Sequence, residues 1–299
     1  MKPVIQFITL ANIALIASLA YVTAIALPND KFVSGFDTRP FVYRVLPNAT
    51  LDLLIGLTTP EIAIAVQSAV SMIGFALAMW LLVSRWSKSW HAFAVAALSP
   101  VAVLVLYALS PHPYDLPILF VFTLGLGLLA HERMWAYLMV FLVACLTKET
   151  AIFLTVIYAA NMAGSSLKEQ SRYRTVIAGD AAWWLFAQLG IYGLTRVALW
   201  IAFRDWSGGE IEFHLLDQLI SFVAAPGIAF VYAVVVIIVG SMSWSWSSKP
   251  LWLRNAAIIV PAFFALYFLG GVPLEFRVFG EVFPIVYLLA AWPVVEGVA

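Results

Sequence analysis

The chain has 299 residues, of which 64% are hydrophobic and 11% are charged, and its formal net charge at neutral pH is zero. A typical soluble domain is roughly 45–50% apolar and about 25% charged, so this composition argues against a water-soluble globular protein. Nothing in the balanced charge favours a nucleic-acid partner. The mean hydropathy of +0.98 and the repeated long apolar runs predict a polytopic, all-α membrane protein.

The apolar runs predict a transmembrane helical bundle of about ten segments in a single integral membrane domain, residues 1–299. The predicted segments are 4–27, 61–83, 92–110, 115–130, 134–147, 151–163, 175–203, 217–239, 255–270 and 279–295. The first resembles a signal sequence, but its apolar run is long for one, so a retained first helix is predicted. Residues 1–163, with the outer loop 28–60, form the predicted core, and residues 164–299 add further transmembrane helices.

Basic residues in the loops determine the predicted orientation. With the N-terminus in the cytoplasm, more than half of the sixteen Lys and Arg residues lie inside, and most of the sixteen acidic residues lie outside. Segments 134–147 and 151–163 allow two topologies, a short hairpin around Lys148-Glu149-Thr150 or one long helix. We favour the hairpin, because a single helix would move the basic residues Lys168, Arg172 and Arg174 to the outer side.

Several enzyme classes find no support, because the chain has no HExxH, Walker, GxSxG, CxxC or dinucleotide-binding motif. The single cysteine, Cys145, provides neither a disulfide framework nor a thiolate metal site. Gly125 and Gly127 lie inside an apolar segment, which predicts close helix packing rather than a phosphate-binding loop.

Charged residues gather in the predicted outer loops. A charge close to hydrocarbon is costly, and its presence is a reason to expect a functional site. The candidate residues are Asp37, Arg39 and Arg44 in the first outer loop, His112, Tyr114 and Asp115 in the second, Lys148 and Glu149 in the third, and Glu275, Arg277 and Glu281 in the last.

The first outer loop places Arg39 and Arg44 among aromatic residues. A guanidinium group can hold phosphate oxygens in pairs, so both residues are candidate phosphate ligands. The alternative is an interfacial loop in which they bind lipid headgroups and Asp37 balances their charge. Residues 48–59, which follow, predict a short helix along the membrane surface.

The second outer loop has three prolines, which fix its backbone and place Asp115 at the start of the next helix. The ordinary explanation of Asp115 is therefore that it caps this helix or stabilises its dipole. His112 has three alternative roles: it binds a metal, pairs with Asp115 or lies in the membrane interface.

The Lys148-Glu149-Thr150 turn separates two apolar segments. An unpaired charge near the middle of a bilayer costs ~2.5–3.5 kcal/mol, so an uncharged turn would be cheaper. Lys148 is therefore a candidate phosphate ligand, and Glu149 is its orienting partner or a metal ligand. The alternative is an ion pair that closes the turn.

The last outer loop and one apolar segment carry further charges. Arg277 and Glu281 are four residues apart and are predicted to share one helix face, where Glu275 and Glu281 position the Arg277 guanidinium. Asp180 and Arg196 lie near opposite ends of segment 175–203. Both are predicted to snorkel towards the membrane surfaces.

The arrangement of these residues resembles the GT-C superfamily, integral membrane glycosyltransferases that use polyprenyl-phosphate-linked sugars. Asp37 and Asp115 occupy the two loops in which those enzymes carry acidic residues. The Lys148-Glu149-Thr150 turn and the Glu275-to-Arg277 stretch are similar to motifs of small bacterial relatives. The resemblance covers roughly residues 1–163.

The resemblance implies a GT-C-like fold in the bacterial inner membrane, with the active face outward. It also implies that Asp37 is the general base, that Asp115 and His112 position the acceptor, and that Arg39, Arg44, Lys148 or Arg277 holds the donor phosphate. Membrane lipids and a polyprenyl-phosphate sugar donor are the implied partners. A divalent cation, Mg or Mn, is an optional cofactor with Asp37, His112 and Asp115 as candidate ligands.

Two other functions compete with glycosyl transfer. A transporter or flippase of a lipid-linked anionic substrate needs the same phosphate-binding cations, together with access from both sides. A non-catalytic membrane subunit of an envelope assembly would use the charged outer face to bind another protein. For such a subunit, replacement of Asp37 or Asp115 by Asn would not abolish function.

Overall fold

The computed structural model of the chain describes residues 3–25, 43–107, 112, 114–168, 174–205, 215–216, 220, 228–270 and 276–297, and among these it contains helices and no β-strand. The helices are α1 (Pro3–Ile25), α2 (Val45–Ile55), α3 (Pro60–Ser84), α4 (Trp90–Tyr107), α5 (Asp115–Ala130), α6 (Met134–Thr147), α7 (Ile152–Lys168), α8 (Arg174–Phe203), α9 (Ile228–Ser243), α10 (Leu251–Ala256), α11 (Ile259–Gly270) and α12 (Phe283–Glu296). The all-α prediction is confirmed for this part of the chain.

Helix α3 lies at the centre of the bundle, where it packs against α1, α2, α4 and α5. Its start follows from the local sequence: the Thr59 side chain accepts a hydrogen bond from the Ile62 backbone N–H at 3.5 Å, and Pro60 stands at the first helical position. Fully buried Met72, Phe75 and other apolar residues of α3 then join one continuous core.

Helix α5 packs closely on α3 and on α7 through glycine residues. A Cβ atom at Gly125 would lie 3.0 Å from the Leu154 side chain, and one at Gly127 would lie 3.0 Å from Leu81. These residues therefore have the packing role that the sequence predicts, because larger side chains would separate α5 from α7 and from α3.

The structure breaks the chain between α6 and α7. Lys148 has extended backbone angles (φ −162°, ψ 150°), and a short 3₁₀ turn, Glu149–Ala151, leads into α7. Hydrogen bonds to α8 show how the two helices run. Tyr137 and Cys145 of α6 bond to Gln188 and Arg196, so α6 and α8 run in the same direction. Beyond the turn, Tyr158 of α7 donates to the carbonyl of Ala181, back towards the start of α8, so α7 runs the opposite way. Helices α6 and α7 therefore form the hairpin that we favour from the sequence.

Within the described residues, three helical stretches are long and apolar enough to cross a membrane: Pro60–Ser84, Ala181–Phe203 and Leu251–Leu269. The prediction of about ten membrane segments is not confirmed at that number, since a full crossing needs ~20 residues. Most of the other apolar helices are shorter; α6, for example, has 14 residues and reaches only ~21 Å. A helix is present where one was predicted at 48–59, as α2, which begins earlier, at Val45, and ends earlier, at Ile55; its predicted position along the membrane surface stays a prediction.

Different charged residues lie at the two ends of the bundle. At one end, Arg85 after α3 meets Glu132 after α5 in an exposed ion pair, with Nη2 and Oε1 3.4 Å apart. Asp115 begins α5 and the Lys148 turn follows α6, so both lie at the other end. The predicted site residues that the structure describes are thus brought to one end of the bundle.

Candidate functional site

A buried ion pair connects the α6–α7 turn to the segment before α12. The Lys148 Nζ atom lies 2.7 Å from Glu281 Oε1, and the Thr150 hydroxyl donates a hydrogen bond to the same oxygen at 2.7 Å. The side chain of Glu281 is 1% exposed and that of Lys148 is 13% exposed. Because both charges are withdrawn from water, each needs the other in order to remain ionised at low cost.

This ion pair corrects the prediction for Glu281. Residues Phe276–Phe279 form a 3₁₀ turn and α12 begins only at Phe283, so Arg277 and Glu281 do not share a helix face. The four-residue spacing implies a shared face only inside a continuous α-helix. Glu281 instead pairs with Lys148, far away in the sequence.

Glu149 is the second carboxylate of the turn, and it lies among positive charges. Burial by itself raises the pKa of the Glu149 carboxyl. This effect is outweighed by the positive charges of Arg44 and Lys148, by the backbone N–H of Glu149 and by the charge of Arg196. The pKa of the Glu149 carboxyl therefore lies below its ordinary value. Glu149 is thus an ionised internal counter-ion to three cations from different parts of the chain.

Arg44 connects this turn to the second predicted loop. Its guanidinium carbon lies 4.2 Å from the centre of the Tyr114 ring, a cation–π distance, and Arg44 is 8% exposed. The His112 ring stacks on the same Tyr114 ring, with centroids 5.2 Å apart. The aromatic residues predicted near the arginines therefore contact one of them directly.

Asp115 stands in the first turn of α5 and is 5% exposed. Its Oδ2 accepts a hydrogen bond from the His112 backbone N–H at 2.9 Å, and its own N–H donates to the His112 carbonyl at 3.0 Å. The N-cap residue of α5 is Tyr114, which makes no side-chain capping bond. Asp115 thus closes the turn before the helix instead of capping it as an N-cap residue.

Helix α2 positions Arg44, which precedes its first residue. The Thr50 hydroxyl lies 3.1 Å from Oε1 of Gln67, a buried residue of α3, and donates a hydrogen bond to it. The Tyr43 ring contacts the Phe203 ring at the end of α8, with centroids 6.2 Å apart. These contacts fix α2 against α3 and the residue before Arg44 against the end of α8.

Arg196 is the residue of this region that the sequence interpretation missed. It was predicted to snorkel, but its guanidinium donates a hydrogen bond to the Cys145 carbonyl in the last turn of α6. It also lies 5.6 Å from the centre of the Tyr192 ring. The sequence signal for an inward-facing role of Arg196 is the presence of an arginine in an apolar segment.

We call Arg44, Asp115, Lys148, Glu149, Arg196 and Glu281 the charged cluster.

A narrow crevice lies beside Lys148, between α5, the end of α6 and the turn that follows α6. Its empty volume is about 180 Å³, and it is lined by Ile118, Val121, Phe122, Ala144, Thr147, Lys148, Thr150 and Ala151. It provides an apolar surface next to a cation.

Some predicted site residues cannot be placed. Asp37, Arg39 and Glu275 lie outside the described residues, as does the Arg277 side chain. Of the candidate metal ligands, the structure describes His112, Asp115 and Glu149. In the parts of the chain that the structure covers, no group of three or more His, Cys, Asp and Glu side chains converges. The divalent cation therefore stays a prediction that depends on Asp37.

Fold and site together define a helical protein with membrane-length helices and a partly buried, formally charge-balanced cluster at one end of its bundle. Comparison of the chain with protein-family models, characterised proteins and solved structures finds no match.

Proposed function

We propose that the chain is a membrane-embedded glycosyltransferase that moves a sugar from a polyprenyl-phosphate donor to an acceptor. In this proposal the charged cluster faces outward in a bacterial inner membrane. The observation that carries the proposal is the position of Arg44 and Lys148, two cations held in a largely buried cluster at one end of an apolar bundle. A lipid phosphate that approaches from the bilayer needs such cations at the depth of its headgroup.

The cations would act on the leaving group. When the bond between the anomeric carbon and the phosphate oxygen breaks, the electron pair leaves with the phosphate, which gains negative charge. A fixed cation in a water-poor site stabilises that charge without reorganisation. Arg44 and Lys148 are the described candidates for this role, and Arg39 and Arg277 are proposed as further ligands of the same phosphate.

The carboxylates would act on the acceptor. Its hydroxyl oxygen forms the new bond to the anomeric carbon, and the proton of that hydroxyl passes to Asp37 as general base. Asp115, with the adjacent His112, is proposed to position the acceptor. Lipid phosphate is a fair leaving group, so no step requires the divalent cation that Asp37, His112 and Asp115 are proposed to bind.

The charge balance of the cluster favours a second candidate, a non-catalytic membrane subunit. The cluster contains three cations, Arg44, Lys148 and Arg196, and three carboxylates, so its described part carries no excess positive charge. A cluster that is already neutral can serve mainly to hold helices together. Glycosyl transfer distinguishes the two candidates.

The orientation of the bundle can be tested by labelling single cysteines in right-side-out membrane vesicles, in a Cys145→Ala background. Positions 52 and 205 lie at the cluster end, and positions 85 and 132 lie at the opposite end; Asp205 and Glu132 have side chains 88% and 81% exposed. We expect a membrane-impermeant maleimide to label 52 and 205 in intact vesicles, and 85 and 132 only after permeabilisation. The reverse pattern would place the cluster in the cytoplasm.

The activity can be tested with membranes that contain the chain, native acceptors and a panel of radiolabelled polyprenyl-phosphate sugars. We expect transfer from at least one donor, and a loss of about tenfold or more in Arg44→Gln, because one charged hydrogen-bond donor to the phosphate is removed. Arg85→Gln is the matched control, since Arg85 lies at the opposite end, and its transfer should equal that of the wild type. If no donor is consumed, the transferase proposal fails and the subunit candidate replaces it.

A further inference from the structure

Arg196 has more hydrogen-bonding capacity than its structural contacts use. It lies on α8, within the stretch Ala181–Phe203 that is apolar and long enough to cross a membrane. One nitrogen of its guanidinium, Nη2, donates to the Cys145 carbonyl. The Nε atom is buried and has no hydrogen-bond acceptor within the part of the chain that the structure describes. A buried donor without an acceptor is costly, so its presence calls for an explanation.

A purely structural role explains only part of this geometry. The last carbonyls of a helix have no partner within the helix, and a cation at that end also suits the helix dipole. Arg196 therefore caps α6 and connects it to α8. That role uses Nη2 and explains the positive charge, but it leaves the buried Nε without an acceptor among the described residues.

The position of Arg196 supplies the missing explanation. The Cys145 carbonyl is in the last turn of α6, directly before Lys148, and Arg196 attracts the carboxylate of Glu149. Arg44 attracts the same carboxylate from the start of α2. Three cations on three separate elements thus act on one carboxylate, and the hydrogen bond to the Cys145 carbonyl fixes Arg196 beside the turn that carries Lys148. Such a set of cations can bind several oxygens of one phosphate.

We infer that Arg196 is a further cationic ligand of the phosphate group of a lipid phosphate, which it reaches from α8 while Lys148 reaches it from the α6–α7 turn and Arg44 from the start of α2. This inference rests on the proposed function, because it concerns the same phosphate. It adds a residue from the interior of a long helix to a site otherwise proposed from loops and turns.

The test is equilibrium binding of radiolabelled farnesyl phosphate to the full chain in lipid nanodiscs, with farnesol as the uncharged comparison and empty nanodiscs subtracted. We expect Arg196→Met to weaken farnesyl phosphate binding by about tenfold or more and Arg196→Lys to weaken it less, since Lys keeps the charge but loses the planar fork. Gln188→Leu is the matched control. It cuts the other connection between α6 and α8 and removes no charge, so its affinity should stay within about twofold of wild type even if its melting temperature falls.

Unchanged affinity in Arg196→Met would overturn the inference, as would an equal loss in Gln188→Leu. If Arg196→Met does not fold, Arg196→Lys decides, and wild-type affinity in that variant counts against Arg196. Binding that depends on Arg196 without any sugar transfer would support the inference and reject the transferase. No selective binding of farnesyl phosphate by the wild-type chain would overturn both.

Discussion

Replacement of Asp37 by Asn is expected to lower glycosyl transfer by about 10²–10⁴-fold, because the acceptor hydroxyl would lose its general base. Asn is nearly the same size as Asp but does not accept a proton, so donor binding should be retained. The measurement is the initial rate of sugar transfer from the preferred radiolabelled donor, normalised to the amount of chain in the membrane. Equilibrium binding of farnesyl phosphate is measured in parallel and should change little.

Asp52→Asn is the matched control for this variant. Asp52 is an exposed carboxylate of α2 at the same end of the bundle, and we expect its replacement to leave the rate unchanged. Equal rates in Asp37→Asn and wild type would remove Asp37 from the mechanism while leaving the transferase class intact. Equal losses in both variants would point to a general electrostatic effect of the outer surface.

Lys148→Met is expected to lower the free energy of unfolding by about 3–5 kcal/mol, the usual cost of removing one partner from a buried ion pair. Glu281, with its side chain only 1% exposed, would keep the Thr150 hydroxyl but lose its counter-charge. Met preserves most of the Lys148 stem, so packing around the crevice should change little. The measurement is reversible denaturation of the purified chain in mixed micelles.

The double variant Lys148→Met, Glu281→Gln is the decisive companion. With both charges removed, most of the lost stability should return, because no uncompensated charge remains. Arg85→Met serves as the surface control, since its ion pair with Glu132 is exposed and such pairs contribute only ~0–1 kcal/mol. A single variant as stable as wild type, or a double variant no better than the single one, would show that the pair does not support the fold.

Local features of the fold could be predicted from the sequence. The hairpin at Lys148 follows from the polar interruption between two short apolar runs, and the packing role of Gly125 and Gly127 follows from their setting. The number of full crossings could not be predicted in the same way. An apolar run shows which residues avoid water, but the length of the helix also depends on where turns such as Glu149–Ala151 interrupt it.

The pairing of charges was the least predictable part of the site. Glu281 pairs with Lys148, a contact that spacing along the chain cannot show, because spacing reports only neighbours on one helix. Arg196 was interpreted as a snorkelling residue because the sequence does not say which face of an apolar helix meets its neighbours. Only the hydrogen bond to Cys145 reveals that this side chain turns inward.

The connection between Lys148 and Glu281 also sets an order of events during synthesis. Thr150, in the same turn, is 131 residues before Glu281. At roughly 5–20 residues per second, the ribosome takes on the order of 7–26 s to make the intervening chain. Throughout that interval the hairpin exists without the carboxylate that neutralises Lys148. The Lys148 amine must therefore stay near water or lipid headgroups until Glu281 is made, so the cluster is completed only after helices α7 to α11 have been synthesised.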